Sequence, residues 1–513
     1  MLKRLPIGQQ DFASIIDDNN VYADKTKIIY ELLQTARFFF LSRPRRFGKS
    51  LLISTLKYLF EGRKELFKGL WIEDKIEWKK HPVIRIDFTA GESSRIVGLA
   101  KSIESIVDDE AKRNKVSLSK ETHSGKLAEL INTLYETTGE KVVVLVDEYD
   151  KPLIEHINNP DKAEENRLIL RDFYGILKPC SDKLKMVFLT GISRFSKLSI
   201  FSELNNLKDI SMDKKFASIC GFTKDDLKEY FSEYKGLACE ELQLSREKLD
   251  EEITYWYDGY KFDGETHVYN PFSMLNFFCD REFKNYWFNS GLPKVLVDFI
   301  REHGVDIKSL ENSTIDELDL NNFDVLRINF KSLMFQTGYL TITGKNKSGK
   351  YILDYPNEEV RQSFAKYLIS NFTDQKYSDM DDGMMDALRK GEIDRFIIYV
   401  NSLLASIPYQ IIPEDHENYF SSLIYVMLRV LAANITSELS SYKGRADAVI
   451  KTNDFIYIFE YKMAPSIAAS GINQIKMKGY ADEFAADPRK KTAVSIVIDK
   501  EKRQITEYLI EEL

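Results

Sequence analysis

LSRPRRFGKS (residues 41–50) follows the apolar run RFFF and runs into LLISTLKYLF. It closes on Gly48-Lys49-Ser50, the end of the pattern G-x-x-x-x-G-K-[ST], but Arg43 stands where the first glycine would be. A strand, a tight loop and a helix in that order wrap backbone N–H groups around phosphates and aim the helix's positive end at them. Lys49 then reaches the β/γ-phosphates and the Ser50 hydroxyl holds Mg2+. Gly48 is retained where backbone approaches phosphate most closely, and Pro44 can set the entering turn in place of a glycine. Arg43, Arg45 and Arg46 add positive charge beside a polyanion, and one of them is expected on the γ-phosphate or on a neighbouring subunit of a homo-oligomer. With Phe47 they complete an ATP-binding loop, Arg43 to Ser50.

A second motif lies about a hundred residues on. KVVVLVDEYD (141–150) is an apolar run ending in Asp147-Glu148. At the end of a central strand, Asp147 holds Mg2+ through water and Glu148 polarises the attacking water. KMVFLTG with ISRF after it (185–195) supplies Thr190 and Ser193 as sensors of the γ-phosphate or the water. Arg194 is either a neutraliser of transition-state charge, within the chain or across a subunit boundary, or a member of a structural salt bridge. RFFFLS (37–42), HPVIRIDF (81–88), KVVVLVDE and KMVFLTG are apolar on both faces, which suits central strands of a parallel sheet covered by helices.

The chain's 513 residues exceed one ordinary core. Apolar residues at 43% and charged residues at 30% give the balance of a soluble globular protein. A net charge of −8 excludes a general polycation, so nucleic-acid contact must be local. Cys180, Cys220, Cys239 and Cys279 form no C-x-x-C pair, which argues against a zinc site and a disulfide scaffold. No signal-peptide-like start and no apolar run of about 18 residues is present, so no membrane partner is expected and a cytoplasmic address follows by default. The expected organisation is a P-loop ATPase core over 1–220, a lid with a helical, winged-helix-like region over 221–380, and an α/β domain over 385–513. In the middle, Thr223 three residues before Asp226 marks a helix start, WYDGYKF and VYNPFS form an aromatic, turn-rich segment, and GYLTIT–GKNKSG–KYILDY reads as a hairpin with a basic tip. The last region is expected to run helix, strand, strand, helix, strand.

That last region carries its own acidic constellation. SYKGRADAVIK places Asp447 in one strand, and DFIYIFEYKMA places Glu460 and Lys462 in the next. Alternation puts Glu460 and Lys462 on a face with Ile456 and Ile458, with Tyr457, Phe459 and Tyr461 opposite. Antiparallel pairing would bring Asp447 near Glu460. Two carboxylates supply hard oxygen ligands for Mg2+ or Mn2+, the metal activates water, and lysine orients that water and offsets charge. Upstream, Glu417, Phe420, Ile424, Leu428 and Leu431 follow helical spacing, and Glu438 is a further ligand candidate. Downstream, Gln474, Lys476, Lys478 and Tyr480 lie on or near a helix, where the lysines could meet phosphates.

RPRRFGKS, VDEYDKPL, LTGISRFSK, GFT, WYDGYKF with VYNPFS, and QTGYL together resemble the AAA-ATPase-like family, in which the ATPase precedes a C-terminal PD-(D/E)XK nuclease-type domain. KGRADAVI and IFEYK match that second domain. The resemblance implies an α/β multidomain protein with a P-loop NTPase and a PD-(D/E)XK fold, and it sets Glu417 at the active-site end of its helix as a metal ligand. The Gln474-to-Tyr480 spacing departs from the Q-x-x-x-Y of a related exonuclease subgroup. Three functions remain open on sequence. They are an ATP-coupled nuclease acting on DNA, a nucleotide-dependent DNA-binding switch that does not cut, and a small-molecule kinase that would leave the C-terminal acids unexplained.

Overall fold

The computed structural model describes residues 2–89, 98–194, 201, 204, 206–287, 293–303, 305–321, 329–372, 377–406, 426–427, 447–499 and 501–513. The chain forms two compact units, one of Met1–Gly291 with Asn312–Val360, the other of Leu292–Glu311 with Arg361–Leu513.

The first unit is built on a parallel sheet in the order β2-β3-β4-β1-β5. β1 is Phe38–Ser42, β2 Val83–Asp87, β3 Val142–Asp147, β4 Leu184–Gly191 and β5 Lys208–Asp209. All five residues of β1 and all six of β3 are buried, as runs apolar on both faces require. Because β4 lies between β1 and β3, three strand ends converge. Thr190 pairs with Leu41, Leu189 with Val146, and Asp87 with Asp147. The carboxyl ends of parallel strands are where such sheets bind ligands.

The helix Lys224–Tyr230 starts in a complete capping box of Thr223 and Asp226. Beyond it, Phe231, Tyr257, Phe277 and Phe278 centre an aromatic core. Asn270 caps the helix Pro271–Asp280, with proline in its first turn. Gly259 of the WYDGYKF segment has φ +109, and a Cβ there would overlap the Pro356 carbonyl oxygen. Gly259→Ala is expected to destabilise this unit by about 3 kcal/mol, from backbone strain plus overpacking. Its first thermal transition should fall accordingly, while an unchanged transition would refute the close approach.

The hairpin expected at 338–355 is β7 (Thr341–Lys345) and β8 (Tyr351–Asp354). A third strand, β6 (Ser313–Ile315), pairs with the far edge of β8, so the sheet order is β6-β8-β7. The helices Glu317–Asn321 and Phe330–Thr337 lie between β6 and β7. The second of those helices is buried along its length, from Phe330 through Leu333, Phe335 and Gln336 to Thr337. It therefore faces protein rather than presenting a reading surface for DNA. The basic tip is partly engaged as well: Lys350 pairs with Asp316 at 2.9 Å and the Lys345 ammonium lies 4.3 Å from the Tyr351 ring centre.

The second unit carries a mixed sheet in the order β12-β11-β10-β9. β9 is Ala448–Lys451, β10 Phe455–Met463, β11 Lys490–Asp499 and β12 Gln504–Glu512. β10 is antiparallel to β9 and parallel to β11, with the helix Ala468–Met477 making the crossover. β12 adds one strand to the expected pattern, antiparallel to β11. It sits at the sheet's end with Tyr508, Leu509 and Ile510 all exposed, so it lacks the alternation that marks a half-buried strand. No helix among the described residues is long and apolar enough to cross a membrane.

Candidate functional site

Two separate constellations emerge, one in each unit. In the first, Gly48 caps the helix Lys49–Phe60 in the left-handed region, φ +92, a conformation glycine adopts without strain. Lys49 is buried and donates to the carbonyls of Arg43 (3.1 Å) and Pro44 (3.2 Å), with Glu148 Oε1 at 3.4 Å. Asp147 is 1% exposed and accepts from the Thr190 hydroxyl at 2.7 Å. Burial holds its carboxyl above the usual range; the Ser50 hydroxyl bonded to it pulls the other way, as do Thr190 and Lys49, while Glu148 adds to the rise. Lys49, Ser50, Asp147, Glu148 and Thr190 are thus brought together. Glu148 has φ +52, uncommon for a residue with a side chain and typical of functional sites.

The three arginines of the loop part company. Arg43 is 1% exposed and points into the protein. It donates to the carbonyls of Ser42 (2.9 Å), Ser211 (2.7 Å), Phe216 (3.4 Å) and Ala217 (3.3 Å), over the Phe262 ring at 4.2 Å. Burial lowers its pKa to about 10. Its charge is spent on four carbonyls, which removes it from the γ-phosphate contact expected of the loop's arginines. Arg46 is exposed at φ +68, its guanidinium 4.8 Å from the Phe272 ring centre, and Arg45 is half-buried. Arg194 is engaged in a salt bridge, as one of its two readings has it. It pairs with Asp209 at 2.6 Å, and this guanidinium holds the carboxyl of Asp209 below the usual range against the opposing effect of burial. Ser193 gives its hydroxyl to Asp150.

The aromatic segment turns out to be the loop's clamp. Phe47 is buried edge-on against Tyr260 (4.8 Å) and Phe262 (5.3 Å), and its carbonyl accepts from Gly221 N. Trp287 Nε1 donates to the Arg45 carbonyl at 3.2 Å. Trp287 is itself fixed by Glu359, whose buried carboxylate accepts from Tyr286 N, Trp287 N and the Ser273 hydroxyl. Burial pushes Glu359 up to about 7. Gly338 leaves its space to Pro44, where a Cβ would lie 2.7 Å from the proline Cβ. Gln336 accepts from Arg194 N at 2.8 Å. The composition of WYDGYKF and QTGYL marked these stretches, but no local pattern says that they touch the loop.

In the second unit, Asp447 N donates to Phe459 O and Tyr461 N donates to Asp447 Oδ2 at 2.9 Å. Asp447 stands one residue before β9, whose register ends with Ala448 opposite Phe459. Its bonds to Phe459 and Tyr461 hold it beside Glu460, the residue between them in β10. Both carboxylates are buried, at 5% and 3% exposure. Lys462 Nζ donates to Glu460 Oε1 at 3.0 Å and to Gln474 Oε1 at 2.6 Å. Ile456 and Ile458 pack with Ile472, Ile475 and Ala493 behind this face, while Phe459 meets Phe396 on the other. Gln474 thus joins the site, and Tyr480 packs against the Ile456–Ile475 core. Lys476 pairs with Glu511 and Lys478 is exposed. Glu417 and Glu438 lie outside the described residues. Among the described residues no group of three or more His, Cys, Asp or Glu side chains is placed to hold a metal. The buried carboxylates of Asp447 and Glu460 are chemically suited to supply part of an oxygen shell for Mg2+ or Mn2+.

Comparison with known proteins agrees with this division. Residues 6–201 match the family described as Predicted AAA-ATPase, and residues 415–508 match the PD-(D/E)XK nuclease superfamily. Across 524 aligned residues the chain is 34% identical to a protein of Azotobacter chroococcum mcd 1 named "Uncharacterized protein in vnfD 5'region", covering 100% of this chain and 99% of that one. With a five-stranded parallel sheet behind the Gly48-Lys49-Ser50 loop and a mixed sheet carrying Asp447, Glu460 and Lys462, the chain belongs to the AAA-ATPase-like proteins that end in a PD-(D/E)XK nuclease-superfamily domain.

Proposed function

We propose that the chain is an ATPase joined to a metal-dependent nuclease that hydrolyses phosphodiester bonds in DNA. In the first unit, Gly48 and the helix after it offer backbone N–H groups to the phosphates. Lys49 exchanges its carbonyl partners for β/γ-phosphate oxygens, and Glu148 orients the attacking water. Ser50 and Asp147 would hold Mg2+, which neutralises charge developing on the phosphates. Thr190 keeps Asp147 aligned for that task. Arg45 and Arg46 remain as the loop's cations toward nucleotide or a neighbouring subunit; Arg43 and Arg194 act structurally.

In the second unit, Asp447 and Glu460 would hold Mg2+ or Mn2+, which supplies Lewis acidity and a water of lowered pKa. Lys462, steadied by Gln474, positions that water and offsets charge on the scissile phosphate. The observation that carries the reading is the buried Asp447, bonded to Tyr461 N next to the buried Glu460, with Lys462 bonded to Glu460.

The test is cleavage of single- and double-stranded DNA by the purified chain with Mg2+ or Mn2+, with and without ATP. Cutting that needs the metal and stops on chelation is expected, together with phosphate release from ATP. DNA and ATP binding without cutting in any divalent metal would favour a nucleotide-dependent DNA-binding switch instead.

A further inference from the structure

Asp150 lies three residues beyond Asp147 and is fully buried. Among the described residues no cation is bonded to its carboxylate. It accepts instead from Ile192 N at 3.0 Å, from Ser193 N at 2.6 Å and from the Ser193 hydroxyl. Tyr149 completes the grip from the same segment: its N–H donates to Thr190 O at 3.0 Å and its hydroxyl to Ser193 O at 2.9 Å. Gly191 closes the arrangement, since a Cβ there would lie 2.5 Å from both Asp150 Oδ1 and the Tyr149 ring. The segment after β3 and the turn after β4 are thereby locked as one body.

Burying a carboxylate this deeply is costly unless its hydrogen bonds are good. β3 and β4 are already joined by their own ladder from Val142 to Val146, so the sheet does not need this group. What the clamp adds lies beyond the ladder. Thr190 is already held from the β1 side by its pairing with Leu41; the clamp ties it from the β3 side, where its hydroxyl bonds Asp147 Oδ1, and fixes the turn that leads to Arg194, whose N–H bonds Gln336. The surroundings agree with a group retained for placement. Burial and Glu148 both disfavour its charge, the Ser193 bonds and Lys49 support it, and its carboxyl is pushed up to about 6. The Tyr174 hydroxyl beside it is buried without a hydrogen-bond partner among the described residues.

We propose that Asp150 is a positioning residue for ATP hydrolysis, holding the Gly191–Ser193 turn so that Thr190 stays on Asp147. The inference rests on the ATPase reading of the first unit.

The test is steady-state ATP hydrolysis by the full chain and by Asp150→Asn, Ser193→Ala and the double variant, with ATP binding and thermal unfolding measured alongside. Asparagine keeps the size of the side chain but turns an NH2 toward backbone donors. Asp150→Asn is expected to lower kcat about 10–100-fold, the usual cost of losing a partner behind a metal-holding group. KM and ATP affinity should stay within about twofold, because the residues that grip the phosphates lie on the P-loop. Ser193→Ala should be slowed about 10-fold, and the double variant no more than Asp150→Asn, since the two act through one contact. A purely structural role would lower the unfolding temperature and leave kcat per folded molecule unchanged, and that outcome overturns the proposal. If Asp150→Asn does not fold, Ser193→Ala decides: kcat equal to the parent overturns it. A parent that binds ATP but never turns it over overturns the ATPase reading itself, and this inference with it.

Discussion

Asp447→Asn is expected to cut metal-dependent DNA cleavage about a thousandfold while leaving the C-terminal fold intact. Asparagine keeps an oxygen to accept from Tyr461 N, so the pairing of Asp447 with β10 survives. What is lost is the charge of one of two neighbouring buried carboxylates. Removing a single preorganised electrostatic contact from a low-dielectric site costs roughly a hundredfold to a thousandfold, and removing a ligand of the metal lies at the upper end. The unfolding temperature of this unit should change little, since the contact with Tyr461 N is kept. Lys462→Met should fall into the same range of activity loss, and Gln474→Ala should lose about tenfold, since it acts through Lys462. Gel analysis of DNA products with each variant, beside thermal unfolding, reads both effects. Cleavage by Asp447→Asn at the parent's rate would remove the catalytic assignment.

Lys49→Ala is expected to lower ATP turnover roughly a hundredfold to a thousandfold. Lys49 is a buried cation whose nearest partners are two loop carbonyls and Glu148. Those are contacts it can trade for phosphate oxygens without moving its backbone. Alanine removes the charge that the β/γ-phosphates meet and leaves Asp147 and Glu148 without their nearest cation. ATP affinity should fall as well, which separates this variant from Asp150→Asn. Phosphate-release assays with titration of ATP decide it, and turnover matching the parent would mean that another loop carries the phosphates.

Local signals carried a large part of the architecture. RFFFLS, HPVIRIDF, KVVVLVDE and KMVFLTG are strands because apolar residues on both faces have no stable place except the middle of a covered sheet. The Thr223–Asp226 capping box and the GKNKSG turn are equally local. In the last domain, alternation alone set Glu460 and Lys462 on the face of Ile456 and Ile458. β12 was not legible, because Tyr508, Leu509 and Ile510 are exposed in succession and break the period of two. Arg43 was legible as a charge but not as a direction. Its four carbonyl partners include Ser211, Phe216 and Ala217, about 170 residues further along the chain.

By itself, then, the sequence determined the strands, the Gly48-Lys49-Ser50 loop, the Asp147-Glu148 strand end and the D…E-x-K hairpin, since each is written within a few residues. Only the tertiary structure decided which charges face a ligand and which are consumed internally. It turned Arg43 and Arg194 inward, brought Tyr260, Phe262, Trp287 and Gly338 onto the loop, and closed Asp150 over the Gly191–Ser193 turn. Those contacts join segments tens to hundreds of residues apart, and their geometry is set by where buried polar groups find partners, a condition that no short window of sequence contains.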